Sequence, residues 1–245
     1  MKKVLIILLF GLCISVAGCS NTSETNEKND VPVKEEKIET EISEDMNQKI
    51  DRFISIMQLK YVNITNDELS ENEKLYYAFY IASNKLSVDS VNKESIEKEM
   101  FELYGSKVEY NDRDIKSLFT NETIAYYKND KYVYNHDTAH GVKMVKGFTQ
   151  EISRERKNSI IKVELKRVYI NCDGDVCPIN ALYKDPEYIE KIDVPKEYCL
   201  YDEYMPDFCD IKAEEYLKDN LDNLPTLTFE FELENGNPVF KRLYK

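Results

Sequence analysis

The chain has 245 residues and a formal charge of -13 at neutral pH, with 46 acidic against 33 basic side chains. So acidic a chain is not built to neutralise phosphates, which excludes nucleic acid as a partner. With only 7 Gly and 7 Pro, it has no G-x-G-x-x-G, G-x-x-x-x-G-K-[ST] or G-x-S-x-G motif, which argues against nucleotide loops and a doubly wound nucleotide fold. The 18 Tyr, with no Trp, suit core edges and sheet surfaces, where a ring is buried while its hydroxyl stays wet.

The N-terminus carries Lys2 and Lys3, an apolar run from Val4 to Val16, and then Ala17-Gly18-Cys19. The run is shorter than the roughly 20 apolar residues needed to span a bilayer, and its order matches a cleaved export signal. Val16-Ala17-Gly18-Cys19 resembles the lipobox of bacterial lipoproteins. The resemblance implies cleavage after residue 18, a diacylglyceryl thioether and palmitate-type acylation at Cys19, and anchoring on the extracytoplasmic face of the cell membrane. Two acyl chains hold where one does so only marginally. Cleavage also removes two positive charges, making the mature chain more acidic still.

Residues 19–44 comprise the lipidated cysteine and a polar tether too poor in apolar residues to offset the entropy of ordering. As a random coil the tether spans roughly 25–30 Å. Residues 45–245 are expected to form one extracytoplasmic domain. Met46, Ile50, Phe53, Ile54 and Met57 recur at helical spacing. Ser70 and Glu73 form a capping box that opens a second helix with Leu75, Phe79, Ala82 and Leu86 on one face. Ser90 is expected to cap a third, in which Val91, Ile96, Met100, Phe101 and Leu103 precede a stop at Gly105.

Beyond Gly105 the period falls to about two. Ile124–Tyr127 and Tyr132–Tyr134 flank Asn129-Asp130, a hairpin turn. Val142–Ser153 and Ser159–Asn171 flank a second turn at Arg156-Lys157-Asn158. Ile211–Leu221 is expected to be a short helix. Thr228–Glu234 alternates strictly before Asn235-Gly236, the strongest short hairpin signal, and Val239–Leu243 returns. Helices followed by antiparallel strands indicate an α+β domain, here N-terminal helices packed on a curved antiparallel sheet. Over residues 70–245 this order resembles NTF2-like and cystatin-like domains, and the chain resembles small surface lipoproteins of low-GC Gram-positive bacteria. Residues 172–223 read as a cysteine-containing insertion.

Cys172, Cys177, Cys199 and Cys209 remain in the mature domain. An even count outside the membrane points to disulfides. Of three possible pairings, Cys172–Cys177 and Cys199–Cys209 is favoured. A four-cysteine zinc site is the sharper alternative, but the gap of nine residues in the second pair is wide for it. His136 and His140 are spaced to hold a metal from one helix face but lack the glutamate of H-E-x-x-H, and a turn is the simpler reading. Asp173, Asp175, Asp202, Glu203, Asp207 and Asp210 form an acidic group without the EF-hand pattern. Glu230, Glu232 and Glu234 are most simply the wet face of a strand rather than an acid/base pair for glycosidic cleavage. No Ser or Cys nucleophile has a base beside it, and no cofactor motif is present.

The expected function is therefore a non-catalytic envelope module that binds a partner protein or small ligand. Tyr198, Tyr201, Tyr204 and Phe208 on the cysteine-held insertion form its recognition surface, since tyrosine offers contact area at low entropy cost. The alternatives are a transporter's solute-binding protein and an envelope hydrolase.

Overall fold

The computed structural model describes residues 39–57, 61–86, 89–118, 120, 122–138, 146–171, 179–202 and 205–245. Ile38–Lys245 form one compact unit. The lipobox cysteine, most of the tether, His140, Cys172 and Cys177 lie outside the described residues.

In chain order the elements are α1 (Glu44–Met57), β1 (Ile64–Thr65), α2 (Glu71–Leu86), β2 (Ser90–Asn92), α3 (Lys93–Tyr104), β3 (Ile115–Lys116), β4 (Thr123–Lys128), β5 (Lys131–Tyr134), β6 (Lys146–Lys157), β7 (Ile160–Ile170), β8 (Cys199–Asp202), β9 (Met205–Ile211), α4 (Ala213–Asp219), β10 (Thr226–Glu234) and β11 (Asn237–Tyr244). The fold is α+β with antiparallel sheets. The main sheet has five strands in the order β1-β11-β10-β7-β6, and β2-β5-β4-β3 and β8-β9 form two smaller sheets. None of the helices among the described residues is long and apolar enough to cross a membrane.

The helices begin where local chemistry allows. At α2 the Ser70 amide donates to Glu73 Oε2 at 2.9 Å, and the Glu73 amide donates to Ser70 Oγ at 3.3 Å, closing the capping box. At α3 the expectation fails by a few residues. Ser90 caps nothing; it lies in β2, where Val91 pairs with Tyr132 of β5 and is buried by the sheet. The helix starts at Lys93 instead and buries Ile96, Met100 and Leu103. Phe101 falls off that stripe and is 42% exposed.

The turns follow their sequence signals. Asn129, Asp130, Asn235 and Gly236 all take positive φ, as two-residue hairpins require. The β6–β7 turn sits at Asn158-Ser159, because β6 continues through Arg156 and Lys157. A bulge between Glu151 and Ser153 leaves Ile152 as the extra residue.

Two cores share β7. Its Ile161, Val163 and Leu165 join Phe229, Phe231 and Phe240 of the sheet beneath α1, α2 and α3. Phe53 sits at the centre of that core, with ring centroids 4.9 Å from Phe240 and 5.8 Å from Phe231. Val168 and Ile170, on the opposite face of β7, pack against Leu182, Ile192, Ile211, Tyr216 and Leu217 of the insertion. The insertion is thus a second hydrophobic layer on the back of the sheet.

Arg167, which the sequence reading did not single out, is buried between these regions. Its guanidinium lies 4.9 Å from the Tyr169 ring centre and donates to Thr149 Oγ1 at 2.9 Å. Burial lowers its pKa to about 10, so it remains a cation at neutral pH. A Cβ at Gly147 would lie 2.3 Å from the Val168 carbonyl oxygen, so this close strand approach admits only glycine.

Glu39 and Glu41, near the end of the stretch expected to be a tether, lie against the β6–β7 turn. The Asn158 amide donates to the Glu39 carbonyl at 2.9 Å, and Arg156 Nη1 donates to the Glu41 carbonyl at 2.7 Å. Arg156 also pairs with Glu39, and Arg154 with Asp51 of α1. These contacts occupy part of β6, an otherwise open sheet edge, and the edge's charged side chains discourage pairing with another strand.

Burial pushes the Tyr76 and Tyr169 hydroxyls up to about 12 and raises that of Tyr104 well above its ordinary value. Unfolded tyrosine ionises near 10, so the native state holds more protons between these values. Stability that is intact below about pH 10 is therefore lost as pH rises through about 12. In an alkaline titration followed by phenolate absorbance, a late group of tyrosines should ionise together with loss of the circular dichroism signal. Ionisation of all the tyrosines together near 10, with the fold intact, would contradict this packing.

Candidate functional site

The two-stranded β8–β9 sheet is closed by the Cys199–Cys209 disulfide, with Cα atoms 5.1 Å apart. This realises one of the two favoured pairs. The strands pair in a register of Cys199 with Ile211 and Tyr201 with Cys209. The base of the hairpin is tied to the rest of the insertion. The Ile211 amide donates to the Ile179 carbonyl at 2.7 Å, and the Ile179 amide donates to Asp210 Oδ1 at 2.8 Å. Asp210 is thereby a hydrogen-bond acceptor for the backbone.

Of the four aromatic residues expected to form a recognition surface, the two whose side chains are described, Tyr198 and Tyr201, separate. Tyr198 is a correction: it is buried in the second core, edge-on to Tyr216 with ring centroids 5.1 Å apart, and donates to Asp219 Oδ2 at 3.1 Å. It sits at the foot of the hairpin because its backbone N–H and C=O are both engaged, with Pro195 and Lys212. Burial raises its hydroxyl pKa. Tyr201 does face solvent, at 51% exposure, and Leu200 beside it is 54% exposed. Tyr204 and the Phe208 side chain lie outside the described residues, as do Asp173, Asp175, Glu203 and the side chains of Asp202 and Asp207.

The remaining candidates have structural settings. His136 is exposed, its Nε2 3.7 Å from Asp89 and its ring against Tyr134. Among the described residues no group of three or more His, Cys, Asp or Glu is placed to hold a metal ion. Glu230 accepts from Arg242 at 2.9 Å and lies 3.7 Å from Lys162, and Glu232 pairs with Lys241 at 2.8 Å. Glu230 and Glu232 are thus held in cross-strand ion pairs, while Glu234 lies beside Gly105 at the end of α3.

A second surface was not foreseen. It is a shallow groove of about 390 Å³ between α3 and the β10–β11 hairpin, lined by Glu94, Glu97, Phe101, Glu102, Glu234 and Val239 among others. The signal for it was Phe101 itself, which falls outside the three-and-four spacing of Ile96, Met100 and Leu103. Comparison with protein-family models, curated proteins and solved structures gives no match for this chain.

Opening the disulfide should loosen one hairpin and leave the main core standing. Chain-entropy reasoning assigns about 2–3 kcal/mol to a loop this short. In Cys199→Ser/Cys209→Ser, amide exchange should rise sharply across residues 199–211 and stay unchanged across β7 and β10. Equal acceleration in all three strands would show that the bond supports the whole fold.

Proposed function

We propose that this protein is a lipid-anchored module on the extracytoplasmic face of the cell membrane, which binds an envelope partner without catalysing a reaction. The observation that carries the reading is Val16-Ala17-Gly18-Cys19 directly behind two lysines and a short apolar run. The Cys199–Cys209 disulfide supports it, since such bonds persist in oxidising compartments. The strongly acidic composition favours solubility close to anionic lipid and wall polymers without adhesion to them.

The recognition element in this reading is the disulfide-closed hairpin, with Leu200 and Tyr201 as its contact residues. Leu200 and Tyr201 are both exposed and, as neighbours along β8, point to opposite faces of the hairpin, so each face offers one large side chain to a partner. The disulfide limits the ordering entropy lost on binding. Position favours the same element. The chain enters the folded unit at the β6–β7 turn. The insertion that carries the hairpin attaches at the other end of β7, where Tyr169 bridges to Tyr183. A partner reaching the hairpin therefore meets the end remote from the tether junction.

A photo-crosslinking side chain at Tyr201 should give a discrete adduct in intact cells, and Leu200→Ser should reduce it several-fold. The same group at the exposed Ile189 serves as the control. No adduct at Tyr201, or an identical pattern from Ile189, would remove the hairpin from the proposal.

A further inference from the structure

The groove beside α3 lies at the opposite end of the sheet from the disulfide hairpin. Glu94, Glu97, Lys98 and Phe101 follow one another at spacings of three, one and three, so they form a single stripe along the helix. Across from that stripe the β10–β11 hairpin contributes Glu234, Asn235, Asn237 and Val239. The lining holds four glutamates and one lysine. That lysine, Lys98, is 3.8 Å from Glu102, and Lys241, outside the lining, interacts with Glu232 and Glu234, so carboxylates outnumber the cations at the groove.

Two further observations separate this surface from an ordinary solvated acidic face. First, Phe101 is 42% exposed at the C-terminal end of the stripe, an apolar ring beside the carboxylates. Second, the Glu234 carboxylate is seated on the C-terminal end of α3. A Cβ on Gly105 would lie 2.8 Å from Glu234 Oε2. Gly105 takes φ +91, open to glycine, so the chain keeps a residue there that admits the carboxylate. The C-terminal end of a helix is its negative pole, and the last turn of α3 carries no basic residue. Glu234 thus adds a further carboxylate to the groove at the negative end of the helix.

We infer that this groove docks a cationic peptide segment of a partner protein, its basic side chains on Glu94, Glu97 and Glu234 and an apolar side chain on Phe101. Charge complementarity selects the sign of the partner and hastens its arrival. The ring supplies a contact that a bare polyamine cannot use fully, and guanidinium groups also stack on it. This surface is independent of the hairpin proposed above and stands or falls separately.

The test is titration of the purified full-length protein with a labelled, acetylated peptide of lysines and arginines around one leucine, with spermine in parallel. The peptide should bind more tightly than spermine. Glu94→Gln/Glu97→Gln should weaken it by about tenfold, in line with the loss of two charge contacts, and Phe101→Ser should weaken it several-fold. Glu214→Gln/Glu215→Gln, an acidic pair on α4, should leave it unchanged, and thermal melts of all variants should match the wild type. The inference is overturned if the peptide does not bind, if the α4 pair matters as much as the groove pair, or if Phe101→Ser has no effect and spermine binds equally well.

Discussion

Everything in the folded unit hangs on β7. Its first half faces the helices through Ile161, Val163 and Leu165, with Lys162 and Glu164 on the open side. From Arg167 onward both faces are covered, by Arg167 and Tyr169 on one side and by Val168 and Ile170 on the other. A strand buried on both faces must satisfy its backbone laterally, and β7 does so against β6 from Ile160 to Ile170, against β10 from Ile160 to Lys166, and beyond that through the Tyr169–Tyr183 bridge. The insertion is therefore no loose appendage. It gains a hydrophobic layer from Val168 and Ile170, on the face of β7 turned away from the helices, and the disulfide hairpin inherits its position from that layer.

This arrangement separates the two proposed contact surfaces. At the start of β7 lie the junction with the tether and the turn of the β10–β11 hairpin, linked by the Leu233 amide donating to the Ser159 carbonyl at 2.7 Å. The acidic groove opens beside that hairpin. At the end of β7 lie the insertion, its second core and the exposed pair Leu200 and Tyr201. A contact at one end is separated from the other by the full length of an 11-residue strand, about 35 Å at the usual rise per residue. Arg154 and Arg156 draw Glu39, Glu41 and Asp51 against β6, so the folded unit begins close to that edge strand.

How much was legible in the sequence depends on whether the signal was local. The capping box at Ser70, the Asn129-Asp130 and Asn235-Gly236 turns, and the amphipathic stripe of α1 are decided by residues within one or two turns of one another, and all are found in the structure. The start of α3 is decided by a strand partner 41 positions away, since Val91 pairs with Tyr132. No helix-start signal at Ser90 can report that. The double burial of β7 was likewise hidden. An alternation of Ile, Val and Leu with Lys and Glu reads as a one-faced strand, and only the later Val168-Tyr169-Ile170 run hinted that both sides become covered. Arg167 gave no signal at all. A buried arginine is recognisable only once its neighbours, Thr149, Tyr169 and Gly147, are brought beside it. Tyr198 and Tyr201 illustrate the same limit at the candidate site. They are three residues apart in a tyrosine-rich stretch, yet one is core and the other surface.

The proposed function rests on the proposed lipid anchor at Cys19, which would set the compartment in which either surface could meet a partner. The most direct test is the mass of the N-terminal peptide of the protein purified from membranes of a Gram-positive host. The account predicts a peptide that begins at Cys19 and carries a diacylglyceryl group, with no peptide from residues 1–18. An unmodified Cys19, or a mature chain that begins elsewhere, would contradict lipid anchoring.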